Sequence, residues 1–233
     1  MVSKNTLDDM ITRRTYDDRC GAAHALDIVG ERWALLIVRE LLLGPKRFTD
    51  LRAGLPCASP NVLTQRLREL EQAGVVRRRK LGPPTGSRVY ELTSWGLELE
   101  PVILQMVRWG LRSPSWSSDP PIGIDSMVLA LRTMFDPNAA DGLTASYELR
   151  LGDDCFRAVV TDGQIELARG SAGQPDAIIE TDPATLAALV FGSRQLTQAL
   201  ESRELKLRGD RSAVERFLSL FSLPESASSE SGA

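Results

Sequence analysis

The sequence predicts an α+β protein in two parts: an N-terminal helical module closed by a β-hairpin, and a C-terminal antiparallel sheet covered by helices. Three observations carry this expectation. Residues 59–80, SPNVLTQRLRELEQAGVVRRRK, read as a capped amphipathic helix that runs into a basic strand. Residues 112–121, RSPSWSSDPP, have the Ser- and Pro-rich composition of a linker. Beyond them the apolar spacing changes from helical to alternating, with Tyr147, Leu149 and Leu151 separated by Glu148 and Arg150. A chain of 233 residues is long enough for two domains. The expected boundaries are 1–111 for the first, 112–124 for the linker, 125–223 for the second and 224–233 for a polar, disordered tail.

In the first part, residues 20–30 suggest a short helix with Ala22, Ala25, Leu26 and Val29 on one side. Residues 31–43, ERWALLIVRELLL, are apolar on most faces, as in the central helix of a small bundle or a helix at a subunit contact. Phe48, Leu51 and Leu55 mark another short helix, followed by a turn with Gly54 and Pro56. Ser59 then offers an N-cap oxygen, and Pro60 suits the first helical position because its missing N–H has no partner there anyway. At about 100° per residue, Leu63, Leu67 and Leu70 form an apolar stripe, and Asn61, Gln65, Arg68 and Gln72 take the opposite face. Gly74 is a stop signal. Val75 and Val76 lead into Arg77, Arg78, Arg79 and Lys80; Gly82, Pro83, Pro84 and Gly86 form a hairpin tip; and Val89, Tyr90, Leu92 and Thr93 return as a strand. A helix from Ser94 to residue 111 contains Pro101, which predicts a kink or a restart after Glu100.

Taken alone, residues 59–80 also fit an ordinary surface helix with a solvated charge run; their flanks decide between the readings. Helix, turn, longer helix and hairpin in that order describe a winged helix-turn-helix, whose second helix enters the major groove of double-stranded DNA. Asn and Gln pair bidentately with adenine and Arg with guanine, so Asn61, Gln65 and Arg68 are the expected base contacts. Ser59, Thr64, Arg77, Arg78, Arg79, Lys80 and Arg88 are the expected phosphate contacts. Arg66 lies beside the apolar stripe and serves either packing or a phosphate.

Cys20 with AHALDIVGERWALLIVRELLLGPKRFTDL, then SPNVLTQRLRELEQAGVVRR, then YELTSWGLELEPVILQMVRWG resembles the HxlR-type winged helix-turn-helix regulators of bacteria. The resemblance runs from about Cys20 to Gly110 and implies a DNA-binding transcriptional regulator. Cys20 occupies the N-terminal cysteine position through which some members of that family sense oxidants or electrophiles. Arg13, Arg14 and Arg19 favour its thiolate and Asp17 and Asp18 oppose it; the alternative is a small buried residue at a helix start.

Charge and composition agree with this reading. The net charge of −3 hides an asymmetry: residues 1–120 hold 18 basic and 14 acidic side chains, whereas residues 121–233 hold 10 and 17. Residues 45–90 alone hold 10 basic against 3 acidic, and the local field matters to a polyanion. No apolar run approaches the length of a membrane span, and the N-terminus has no signal-peptide core, which predicts a cytoplasmic protein with no membrane partner. Cys20, Cys57 and Cys155 are too dispersed for a disulfide framework or a metal site, and His24 has no partner ligand and reads as structural. Neither a nucleophile elbow nor a phosphate-binding Gly loop is present, so neither an enzyme nor a cofactor is expected. A ninety-residue module hardly buries both apolar helices, at 31–43 and 94–111. A homodimer is one remedy, packing against the second domain the other.

In the second part, residues 126–135 read as a helix, FRAVVT and QIELAR flank the two-residue hairpin signal Asp162-Gly163, and DAIIET adds a strand. Asp182 or Thr181 caps a helix with Pro183 first and Gly192 last; RQLTQALES, KLRGD and residues 212–223 supply a helix, a strand and a final helix. YELRLGDDCFRAVVTDGQIELARG, PDAIIETDPATLAALVFG and ALESRELKLRGD resemble the sterol-carrier-protein-type domain over residues 125–222. That resemblance implies a sheet covered by helices around an apolar tunnel. Leu186, Leu189, Val190, Phe191, Leu196, Phe217, Leu220 and Phe221 either line it or form plain core. The combined expectation is a dimeric regulator, most simply a repressor, that responds to a hydrophobic small-molecule effector. A lipid carrier that uses its winged helix only to dimerise, and a regulator that senses through Cys20, are the alternatives.

Overall fold

The computed structural model describes residues 15–82, 86–117 and 121–227; Arg13, Arg14, Pro83 and Pro84 at the hairpin tip, residues 118–120 of the linker and residues 228–233 of the tail lie outside them. The chain divides into two units, Met1–Leu97 and Glu98–Ala233.

The first unit is built on leucine. Helices α1 (Gly21–Val29), α2 (Ala34–Leu41), α3 (Phe48–Gly54) and α4 (Pro60–Gln72) precede the hairpin β1 (Val76–Lys80) and β2 (Arg88–Leu92), and a single turn α5 (Ser94–Leu97) ends it. Ile37, Val38 and Leu41 of α2, Leu51 of α3 and the stripe Leu63, Leu67 and Leu70 of α4 are buried together with Val75, Val76, Val89 and Leu92. Each such side chain contributes about 1.5–3 kcal/mol of apolar burial. The apolar run at 31–43 is not helical from its start. Trp33 takes a left-handed φ of 79°, so α2 begins only at Ala34.

Within α2 the buried Glu40 accepts from Arg39 Nη2 at 2.8 Å and from Lys46 Nζ at 2.6 Å. Gly54 closes α3 against this carboxylate: a Cβ there would lie under 3.0 Å from Glu40 Oε2, so the close approach requires glycine. By contrast α1 buries only Val29, and its Leu26 is 47% exposed.

The second unit begins with α6 (Glu100–Leu111), which packs on α7 (Ile124–Met134), where Arg132 pairs with Glu100. The break expected after Glu100 falls just before it, placing Pro101 in the first turn of α6, where its missing N–H leaves no carbonyl unpaired. The sequence reading put this helix in the first domain; its contacts group it with the second unit.

Five strands follow the order β5–β4–β3–β6–β7, with β3 at Ala145–Leu151, β4 at Asp154–Thr161, β5 at Gln164–Arg169, β6 at Ala177–Thr181 and β7 at Lys206–Gly209. The sheet is mixed, not wholly antiparallel as expected. After the hairpins β3–β4–β5 the chain crosses to the free side of β3 and pairs there in parallel, Leu149 beside Ile179. Asp162 (φ 51°) and Gly163 (φ 68°) form the expected two-residue turn, whose positive φ values suit Asp and Gly.

Asp182 caps α8 (Pro183–Val190) by accepting from Thr185 N at 2.9 Å, and α9 (Leu196–Glu201) and α10 (Arg211–Ser219) complete the cover. Tyr147 of β3 meets Phe217 of α10 with ring centroids 4.8 Å apart, and Phe217 meets Phe221 at 5.0 Å. At the end of the described chain, Ala227 N donates to Arg112 O at 2.8 Å.

Candidate nucleic-acid interface

The candidate interface is built on α4. Ser59 Oγ accepts from Val62 N at 3.3 Å and starts the helix. Because Leu63, Leu67 and Leu70 take the inner face, Asn61, Gln65, Arg68 and Gln72 all stand exposed on the outer one. Their side chains differ in freedom. Gln65 Nε2 donates to Glu69 Oε1 at 2.8 Å. Glu69 also pairs with Arg66, whose second Nη reaches Glu31 Oε2 at 3.0 Å. Arg66 is 20% exposed and braces α4 against the corner before α2. Thr64 Oγ1 donates to Pro60 O at 2.8 Å, so its hydroxyl hydrogen is turned onto the helix backbone. Thr49 and Arg52 of α3 border a groove of about 800 Å³ that runs past Cys57 to Ser59 and Pro60.

The hairpin sets its cations by strand register. Arg77 pairs with Glu91, Arg78 with Tyr90, Arg79 with Val89 and Lys80 with Arg88. Alternation puts Arg77 and Arg79 on one face and Arg78 and Lys80 on the other. Glu91 Oε1 accepts from Arg77 Nε at 2.8 Å, and its Oε2 faces Arg79 Nε at 2.7 Å. Arg78 pairs with Glu71 at 2.9 Å and lies over the Tyr90 ring at 5.4 Å. Lys80 and Arg88 are exposed. Glu91 was not anticipated as part of the site; only the register of the two strands brings it between two arginines.

Cys20 is exposed at the N-cap of α1, and the backbone N–H groups of Ala23 and then Ala22 hold its thiol below the ordinary cysteine value. Among the described residues, helix amides supply the shift. Cys57 is also exposed, and His24 stands on the exposed side of α1.

In the second unit Leu186, Phe217 and Leu220 are fully buried, and Leu189, Val190, Leu196 and Phe221 nearly so. α8 touches both α7 and α10, and α10 packs on β6; Leu196 belongs to α9. Phe191 is half-buried, with Trp116 edge-on at 5.8 Å. A separate apolar groove of about 540 Å³ lies along α6, lined by Pro101, Val102, Gln105, Met106 and Trp109, with Trp109 78% exposed. Among the described residues no helix is long and apolar enough to cross a membrane.

Comparison with known proteins adds family assignments. Residues 28–116 match the HxlR-like helix-turn-helix family and residues 130–222 the SCP-2 sterol transfer family. The chain is 44% identical over 86 residues to the uncharacterized HTH-type transcriptional regulator YvaP of Bacillus subtilis, covering 36% of this chain and 79% of that protein. It is 33% identical to the reduced form of the transcriptional regulator YodB from B. subtilis, with a TM-score of 0.38, over 42% of this chain and 97% of that one. It is 20% identical to the inverting sec-alkylsulfatase Pisa1 from Pseudomonas sp., with a TM-score of 0.41, over 46% of this chain and 17% of that one.

Proposed function

This chain belongs to the HxlR-like helix-turn-helix family of transcriptional regulators, and we propose that it is a dimeric, cytoplasmic repressor whose operator affinity answers to a hydrophobic effector. The exposed row Asn61, Gln65 and Arg68 on a leucine-backed helix, beside a hairpin of five cations, carries the DNA half of this reading. Those three side chains read base edges; Ser59, Arg77, Arg78, Arg79, Lys80 and Arg88 hold phosphates. Binding requires Gln65 to leave Glu69, an exchange of one hydrogen bond for another.

Apolar surface on α1, at Leu26, and on α6, at Met106 and Trp109, supports a two-fold dimer. Such a dimer reads near-palindromic operators with half-sites about 34 Å apart. The buried apolar cluster under α8 and α10, within the residues matching the SCP-2 family, supports the effector half. The two units, Met1–Leu97 and Glu98–Ala233, divide the two tasks, and no catalytic step is required.

Gln65→Ala tests the assignment: it costs about 1–3 kcal/mol on the best operator and relaxes base preference. Lys80→Ala weakens every duplex alike and makes the salt slope shallower by about 0.9. Equal losses from both on all sequences would remove the assigned roles, and a flat slope for the unaltered protein would favour a lipid carrier instead. A second reading, that Cys20 senses oxidants or electrophiles, is supported by its place at the start of α1, where helix amides favour the thiolate.

A further inference from the structure

Glu91 is nearly buried and sits inside the basic hairpin, where electrostatics alone disfavours it: a carboxylate beside the cations weakens the field offered to a polyanion. Its contacts supply the compensating reason. Arg77 and Arg79 share one face of β1, and each reaches the carboxylate through Nε, at 2.8 Å and 2.7 Å, one on each oxygen. Glu91 is 9% exposed, whereas the two arginine side chains are 64% and 50% exposed. A guanidinium held at Nε still has its Nη hydrogens for an outer acceptor.

We propose that Glu91 is a positioning residue for DNA, clamping Arg77 and Arg79 so that their Nη edges stand ready for neighbouring phosphates of one strand. The clamp orders two long side chains before DNA arrives, an ordering that binding otherwise has to impose. Arg78, on the other strand face, is held differently, by Glu71 and the Tyr90 ring, and is outside the clamp. The inference rests on the DNA-binding reading above.

The two effects of Glu91 have opposite signs, so Glu91→Gln separates them. The substitution removes a negative charge, and the field alone predicts tighter binding. The clamp predicts weaker binding: about tenfold on a short duplex of arbitrary sequence, with a salt slope shallower by about 0.9 for each phosphate that the arginines no longer neutralise. In an Arg77→Ala/Arg79→Ala background the same substitution no longer weakens binding, because the groups it positions are gone and only the tightening from the lost negative charge remains. Equal or tighter binding by Glu91→Gln overturns the clamp, as does an undiminished loss in the double-alanine background, which marks a folding effect. If the unaltered full-length chain shows no salt-dependent duplex binding, the DNA reading itself falls and the clamp with it. A steep slope together with an indifferent Glu91→Gln removes the clamp alone.

Discussion

Two thiols in this chain show how the same group is tuned in opposite directions by its immediate surroundings. Cys20 faces the open amides of Ala23 and Ala22 at a helix start, which favour its thiolate. Cys155 is pushed up by burial and by the carboxylate of Glu148 beside it. Since the thiolate is the nucleophile, limiting iodoacetamide near neutral pH is expected to label Cys20 well before Cys155, as read by peptide mass spectrometry. Labelling in the reverse order would leave a sensor role for Cys20 without a chemical basis. The sequence suggested the tuning through nearby arginines, of which Arg13 and Arg14 lie outside the described residues; the helix start adds the amides of Ala23 and Ala22. Glu69 is a comparable case. It reads as one more surface charge, and it holds both Gln65 and Arg66.

Strand β3 shows what element-level patterning conceals. Its alternation predicts one wet face, yet Glu148 on that face is 3% exposed, because β4 and β6 flank the strand and the segment after β5 folds over it. Burial alone raises the Glu148 carboxyl. Hydrogen bonds from Arg150 Nε at 2.8 Å and from Ala172 N at 2.9 Å outweigh it and leave the group below the ordinary glutamate value. A carboxyl depressed on folding contributes stability that is fully present above its unfolded value of about 4.3 and is lost as pH falls through the folded value. Glu148→Gln is therefore expected to lower the melting temperature near pH 7, and the gap to the unaltered chain is expected to narrow progressively as pH falls below the unfolded value. A gap that stays constant across this range would show that Glu148 contributes nothing through its charge. Helix α4, by contrast, was legible almost residue by residue: Ser59, Pro60, the three leucines and Gly74 act locally, and no distant contact is needed to interpret them.

At the scale of the whole molecule, the opposed charges of the two halves mean that net charge says little about partners. Ten cations within residues 45–90 shape the field that DNA meets, whatever the acidic second half contributes to the total. The proposed dimer rests on the apolar faces instead. Met106→Glu, which places a charge in the α6 groove, tests the proposed two-fold contact: if that contact lies on α6, sedimentation velocity is expected to show a monomer and operator binding to weaken. A variant that remains dimeric would move the subunit contact away from α6.

Chain order and side-chain spacing were sufficient to establish the two-part α+β plan, the leucine-backed helix with its polar row, the basic hairpin and the Asp162-Gly163 turn, because each follows from capping, periodicity or turn chemistry within a few residues. Folding alone decided the parallel pairing of β3 with β6, the burial of Glu40 and Glu148, the brace from Glu31 through Arg66 to Glu69, and the seat of Glu91 between two arginines. Each of these joins residues distant in sequence, and the free energy of a charge depends on which groups surround it once water has been excluded.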